Sequence, residues 1–261
     1  MDNNLSEYTG REQMVCVAAR MIEDEDLVFV GMRLPIIAFQ LAVSTNAPNA
    51  VSIFESGVMR NDPADGFLHT MCDLPNLNGA VSSTNMIDIM SFLQRGEVDV
   101  GFLGGAEIDQ FGNLNTTRVM SGDGRSIRLP GSGGAGDIAG MSKNTLILMP
   151  HQPRRFVKEV HYNTSPGFGT GGDWRLREDL VGNGPMALVT TKATFGFDDS
   201  GEMYLRSLHS GIDEDEVTSD FPWILNTSRD LGLGPVQETV PPTEEELNLI
   251  RSFDPDGFWT G

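Results

Sequence analysis

Three apolar stretches, in a fixed order, constrain this chain more than anything else in it. Residues 27–30 are short and apolar and close on Gly31, residues 36–43 are apolar nearly all round, and residues 51–54 are again short and largely apolar. Continuous apolar strands belong to sheets covered on both faces, whereas strands that face water alternate. A helix that is apolar on every side is buried as well. Pro35 suits the first turn of such a helix, where the missing N–H has no partner to lose. Strand, helix and strand in this order predict a parallel β-α-β unit. Upstream, Met14, Val15, Ala18, Met21 and Ile22 share one helical face, which the acidic turn at 23–26 ends.

The pattern returns further along. Residues 86–93 read as a helix, 98–103 and 145–149 as strands, and 186–208 alternate in the manner of antiparallel or edge strands. Pro241-Pro242 breaks the chain, and Thr243 with Glu246 three residues on makes a capping box for a last helix. No internal repeat or low-complexity linker interrupts the 261 residues. The expectation is α/β: one domain over residues 1–261 with a single open, mixed, largely parallel sheet and helices on both faces. Residues 1–8 are expected to form a loose N-terminal arm.

Carboxylates outnumber lysine and arginine 37 to 18, for a net charge of -19. That argues against nucleic acid, whose phosphates need clustered cations. Lysine is scarce, with only Lys143, Lys158 and Lys192, and the other basic residues are arginine. An ordinary acidic face, a salt-adapted cytosol and an arginine-favouring genome all fit this balance. No run approaches the roughly 20 apolar residues that span a bilayer. The first ten residues lack the charged-then-apolar order of a signal peptide. Cys16 and Cys72 lie far apart in apolar surroundings and are expected to be buried thiols. A cytoplasmic protein without a membrane segment is the expectation.

Chemistry-bearing residues gather in three places. Glu55 follows the strand at 51–54 and precedes Ser56-Gly57, at the carboxyl end of a strand, where open α/β sheets collect ligands. Gly104-Gly105-Ala106-Glu107-Ile108-Asp109 through Gly112-Asn113-Leu114-Asn115 follows the strand at 98–103, with turn chemistry at Phe111-Gly112-Asn113. Gly131-Ser132-Gly133-Gly134-Ala135-Gly136 can aim several backbone N–H groups into one concavity, suited to a phosphate or an oxyanion. Each segment alone also reads as a plain loop. The glycine loop is not a GxGxxG in a first β-α-β unit, where a dinucleotide fingerprint belongs, and no phosphate-binding GxxxxGK[ST] occurs. His69, His151, His161 and His209 lack metal-ligand spacing and read as surface or structural residues.

Taken together, these segments resemble the family I coenzyme A transferases, in particular the B subunit of the glutaconate type. Phe54-Glu55-Ser56-Gly57-Val58 is similar to that subunit's glutamate motif, and Gly104 through Asn115 to its second signature, where Gln is common in place of Glu107. Gly131-Ser132-Gly133-Gly134-Ala135 matches the glycine loop, and Thr164-Ser165-Pro166-Gly167-Phe168 extends the likeness, which runs from about residue 8 to residue 256. The resemblance implies that Glu55 is the catalytic carboxylate, carrying CoA as a glutamyl thioester. Gly133, Gly134, Ala135 and Gly136 would form the oxyanion or CoA-binding loop, with Ser56, Gly57, Gly104, Gly105 and Asn113 as active-site neighbours. It implies no metal and no cofactor besides CoA as substrate. It also implies an A subunit as partner, in a hetero-oligomer such as two copies of each. A dicarboxylate substrate would want an arginine, for which Arg60 and Arg118 stand near the motifs in sequence. Related chains hydrolyse ring-derived β-keto acyl-CoA or decarboxylate glutaconyl-type thioesters, tending to lose or replace the glutamate. A non-catalytic sensor is the remaining alternative, without a helix-turn-helix to support it.

Overall fold

The computed structural model describes residues 7–261, so most of the expected N-terminal arm lies outside the described residues. The chain forms two compact units: residues up to Phe102 with Val240–Gly261, and Leu103–Thr239.

The first unit contains α1 (Gly10–Arg20), β1 (Leu27–Phe29), α2 (Leu34–Ser44), β2 (Val51–Ile53), β3 (Val58–Arg60), α3 (Leu74–Leu77), β4 (Ser82–Ser83), α4 (Met86–Gln94) and all but the last residue of β5 (Val100–Leu103). Its strand order is β5-β1-β2-β3-β4. β1 runs parallel to β2 (Phe29 opposite Ile53) and to β5 (Val28 opposite Val100), while β2/β3 and β3/β4 are antiparallel. The predicted β-α-β unit is therefore present, and α2 is buried from Ile36 to Val43.

The first helix exceeds its prediction. It was expected to bury one face, yet Glu12 through Ala19 are all buried. The cause is the C-terminal helix Glu244–Phe253, which starts on the predicted Thr243–Glu246 capping box. Arg20 reaches Glu246 (2.6 Å), Arg251 reaches Glu12 (2.8 Å), and Gln13 donates to the Val240 carbonyl (3.1 Å). Cys16 is buried here, and burial, assisted by the Glu246 charge, pushes its thiol up to about 12. Cys72 departs from expectation. It is exposed, because Asp73 gathers the N–H groups of His69 and Thr70 into a surface turn around it.

The second unit adds β6 (Glu107–Ile108), β7 (Leu114–Asn115), β8 (Arg118–Met120), β9 (Ser126–Arg128), α5 (Ala135–Met141), β10 (Asn144–Leu148), α6 (Trp174–Arg177), β11 (Pro185–Val189), β12 (Ala193–Phe197), β13 (Met203–Leu208), α7 (Glu214–Thr218), β14 (Asn226–Thr227) and β15 (Gln237–Glu238). β10 is parallel to β11, the antiparallel steps β11/β12 and β12/β13 account for the alternation over 186–208, and β14 and β15 both run parallel to β13. β6/β7 and β8/β9 are separate hairpins. His151 is buried against Phe156, Phe195 and Phe221, bonded to Thr190 and Asp220 (3.0 and 3.1 Å), and burial lowers it to about 4. It is a structural histidine, as expected. The class is α/β with a mixed, largely parallel sheet, and no described helix is long and apolar enough to cross a membrane.

Candidate active site

Glu55 stands at the tip of the β2/β3 hairpin. The Gly57 N–H bonds the Phe54 carbonyl and the Phe54 N–H bonds the Val58 carbonyl, both at 2.9 Å. These bonds leave Glu55, Ser56 and Gly57 as a three-residue loop of the kind that needs a left-handed residue at its third position. Gly57 supplies it, with φ +101°. A Cβ at this position would stand 2.3 Å from the Thr84 carbonyl oxygen, while the Gly57 carbonyl accepts the Thr84 N–H at 2.8 Å. Backbone conformation and contact thus both require glycine, and the loop is clamped on the chain entering α4. We expect Gly57→Ala to lower unfolding free energy by about 1–3 kcal/mol in a denaturant titration. It should also cut turnover about 100-fold, through displacement of Glu55.

The Glu55 side chain is half-buried, and no described residue of its unit hydrogen-bonds or ion-pairs with its carboxylate. Ser56 Oγ donates to the Met71 carbonyl (3.3 Å), tying the loop to the segment after β3. Arg60 organises that segment. Its guanidinium, 3 % exposed, donates to the carbonyls of Asp62, Pro63, Asn76 and Asn78 and to the Asp62 carboxylate. An arginine so engaged is a staple and has nothing left for a substrate. Arg118 lies on the exposed β8/β9 hairpin, opposite Arg128 and 5.5 Å over the Tyr162 ring.

In the second unit three of the singled-out motifs converge. The Asn113 amide is buried. It donates to Asp109 (2.9 Å) and the Gly169 carbonyl (2.8 Å) and accepts from the N–H groups of Gly167 (2.9 Å) and Gly169 (3.1 Å). Burial raises the Asp109 carboxyl even against these bonds. Asn113 therefore fastens the 167–169 loop to the second signature. A Cβ on Gly167 would lie 2.2 Å from the Phe111 carbonyl, so only glycine lets these segments meet. Gly104 closes on the Leu148 carbonyl, which a Cβ would approach to 3.1 Å, and the Gly105 carbonyl accepts from Arg155 (2.8 Å). The glycine loop joins through Gly131, whose N–H bonds the Thr116 carbonyl (2.8 Å), and Thr116 N–H bonds Thr164 Oγ1 (3.0 Å). Within the loop Gly133 is exposed and Gly134 is buried. The Ala135 N–H is spent on the Ser132 carbonyl (2.9 Å), and Gly136 lies in the first turn of α5.

The coenzyme A transferase family profile matches residues 11–220. The chain belongs to that family. The B subunit of 3-oxoadipate CoA-transferase from Pseudomonas knackmussii is 36% identical over 258 residues, spanning 96% of this chain and 95% of the relative. The B subunit of glutaconate CoA-transferase from Acidaminococcus fermentans is 34% identical over 260 residues, spanning 95% and 93%. The crystal structure of glutaconate CoA-transferase from that organism superposes with a TM-score of 0.87 at 29% identity, over 98% of this chain and 99% of that one. Two further side chains support these loops in this coenzyme A transferase: Glu107, which stands within the second signature, and Arg175, which the sequence did not single out. Glu107, buried, accepts from Asn115 Nδ2 (2.6 Å) and pairs with His161 Nδ1 (2.6 Å). Arg175, buried, donates to the carbonyls of Ala139, Gly167 and Gly182.

Proposed function

We propose that this chain is the glutamate-bearing subunit of a CoA-transferase that moves CoA between an acyl-CoA and a carboxylic acid, with Glu55 as nucleophile. The observation that carries this reading is Glu55 itself: a half-buried carboxylate without a partner in its unit, on a hairpin tip that glycine geometry clamps. Glu55 attacks the acyl-CoA carbonyl, giving a mixed anhydride and CoA thiolate. The thiolate attacks the Glu55 carbonyl, leaving glutamyl-CoA and the free acid. An acceptor carboxylate then reverses both steps and regains the glutamate. Anhydride and thioester are close in reactivity, so one hard exchange becomes several easy ones.

Each attack develops an oxyanion. The amides of the 133–136 loop are the proposed donors, and Gly133 and Gly134 matter most because Ala135 is already bonded. Ser56, Gly57, Gly104, Gly105 and Asn113 act by holding the loops. CoA enters as substrate, and no step calls on a metal or another cofactor. Two B-subunit relatives at 34–36% identity support an A subunit as partner, and their names support a dicarboxylic acid as substrate. The test is CoA exchange by the chain co-expressed with its partner, across acyl-CoA and acid pairs. Parallel double-reciprocal lines are expected. Intersecting lines, or release of free CoA and acid without exchange, would contradict transfer through the enzyme.

A further inference from the structure

Parallel pairing makes β1 and β2 deliver their following loops at one edge of the sheet. Phe29 lies opposite Ile53, and the Val30 N–H bonds the Ile53 carbonyl at 3.0 Å. Glu55 comes two residues after Ile53, and Arg33 four residues after Phe29. Arg33 holds a backbone conformation, φ 72° and ψ -131°, that is ordinarily left to glycine. It is exposed, it caps no backbone group of α2 with its side chain, and no described carboxylate of its unit pairs with it, in a chain with 37 of them. Its guanidinium carbon sits 5.5 Å over the Trp259 ring. Trp259 in turn bonds the Leu68 carbonyl (3.2 Å), in the same segment whose Met71 carbonyl holds Ser56 beside Glu55. A strained, unpaired cation on an aromatic platform, at the edge that presents the nucleophile, is the arrangement of a kept binding group.

We propose that Arg33 binds the distal carboxylate of a dicarboxylic acyl group, selecting such acids over monocarboxylic ones; this rests on the transferase reading. The guanidinium fork matches a carboxylate with two parallel bonds, and stacking on Trp259 fixes its plane. Strain at the backbone is what the chain gives up to place it there.

The experiment compares glutarate with pentanoate, its monocarboxylic match in length, as acceptors for the two-subunit enzyme and for its Arg33→Gly variant. The native enzyme is expected to favour glutarate by at least about 100-fold in kcat/KM, and the variant by less than about 10-fold, because a site built for a charged group rejects the analogue lacking it. The variant should unfold no earlier than the native protein, since glycine suits this backbone. Calorimetric titration of glutarate into both forms gives the same comparison without turnover, with about 10-fold or greater weakening expected in Arg33→Gly. A variant that keeps the native preference overturns the proposal, and so does a native complex that does not bind glutarate. If the native complex exchanges no CoA while glutarate binding still depends on Arg33, the transferase reading fails and the carboxylate site stands.

Discussion

Replacing Glu55 by Gln is expected to lower CoA transfer by at least about 10,000-fold, the order of loss seen when a covalent nucleophile is removed. An amide cannot attack a thioester carbonyl at neutral pH, so neither the anhydride nor the glutamyl thioester can form. Glu55→Asp keeps the chemistry but withdraws the carboxylate by one methylene. Displacement of that size costs about 100-fold. Neither change should alter the fold, because Glu55 holds no hydrogen bond within its unit, and surface-type changes of this kind stay within about 0.5 kcal/mol. Steady-state exchange kinetics beside urea titrations of the same variants would read both effects. Loss of activity with loss of stability would point to a structural glutamate.

The second large effect concerns Arg175. Its guanidinium is buried and meets only carbonyls: Gly182 (2.9 Å), Gly167 (2.8 Å) and Ala139 (3.0 Å). Burial lowers its pKa to about 10, so it stays charged across the ordinary range. These bonds tie α5, which follows the glycine loop, to the loop that Asn113 fastens from the other side. Arg175→Ala would leave three buried carbonyls without donors and open a cavity, at a cost of about 3–5 kcal/mol. Arg175→Lys should remain about 2 kcal/mol below the native protein, since one ammonium cannot reproduce a planar fork. Denaturant unfolding measures the loss, and limited proteolysis should show new cleavage near residues 131–141. An Ala variant as stable as the native chain would contradict this assignment.

How far the sequence discloses these features depends on the range of the forces that set them. The β-α-β order, the Glu55 turn and the Thr243–Glu246 capping box are local patterns, visible in consecutive residues. Arg175 looks like any charge on a short polar helix; Arg177, two residues on, is indeed a surface residue paired with Asp173. Arg60 read as a possible substrate contact, yet β3 turns it inward among carbonyls. The full burial of α1 depends on partners more than 220 positions away, such as Glu246 for Arg20, which no local period reveals. Arg33 gave no signal because its distinction is a backbone angle. The motifs around Asn113 were legible as loops, but not as one hydrogen-bonded knot.

The most direct measurement is mass spectrometry of the chain, co-expressed with its partner, after acyl-CoA and then borohydride. Borohydride reduces a glutamyl thioester to an alcohol, a loss of about 14 Da that peptide mapping can place. The account predicts that loss at Glu55, only when acyl-CoA is present. An unmodified Glu55 in a preparation that still consumes acyl-CoA would contradict it.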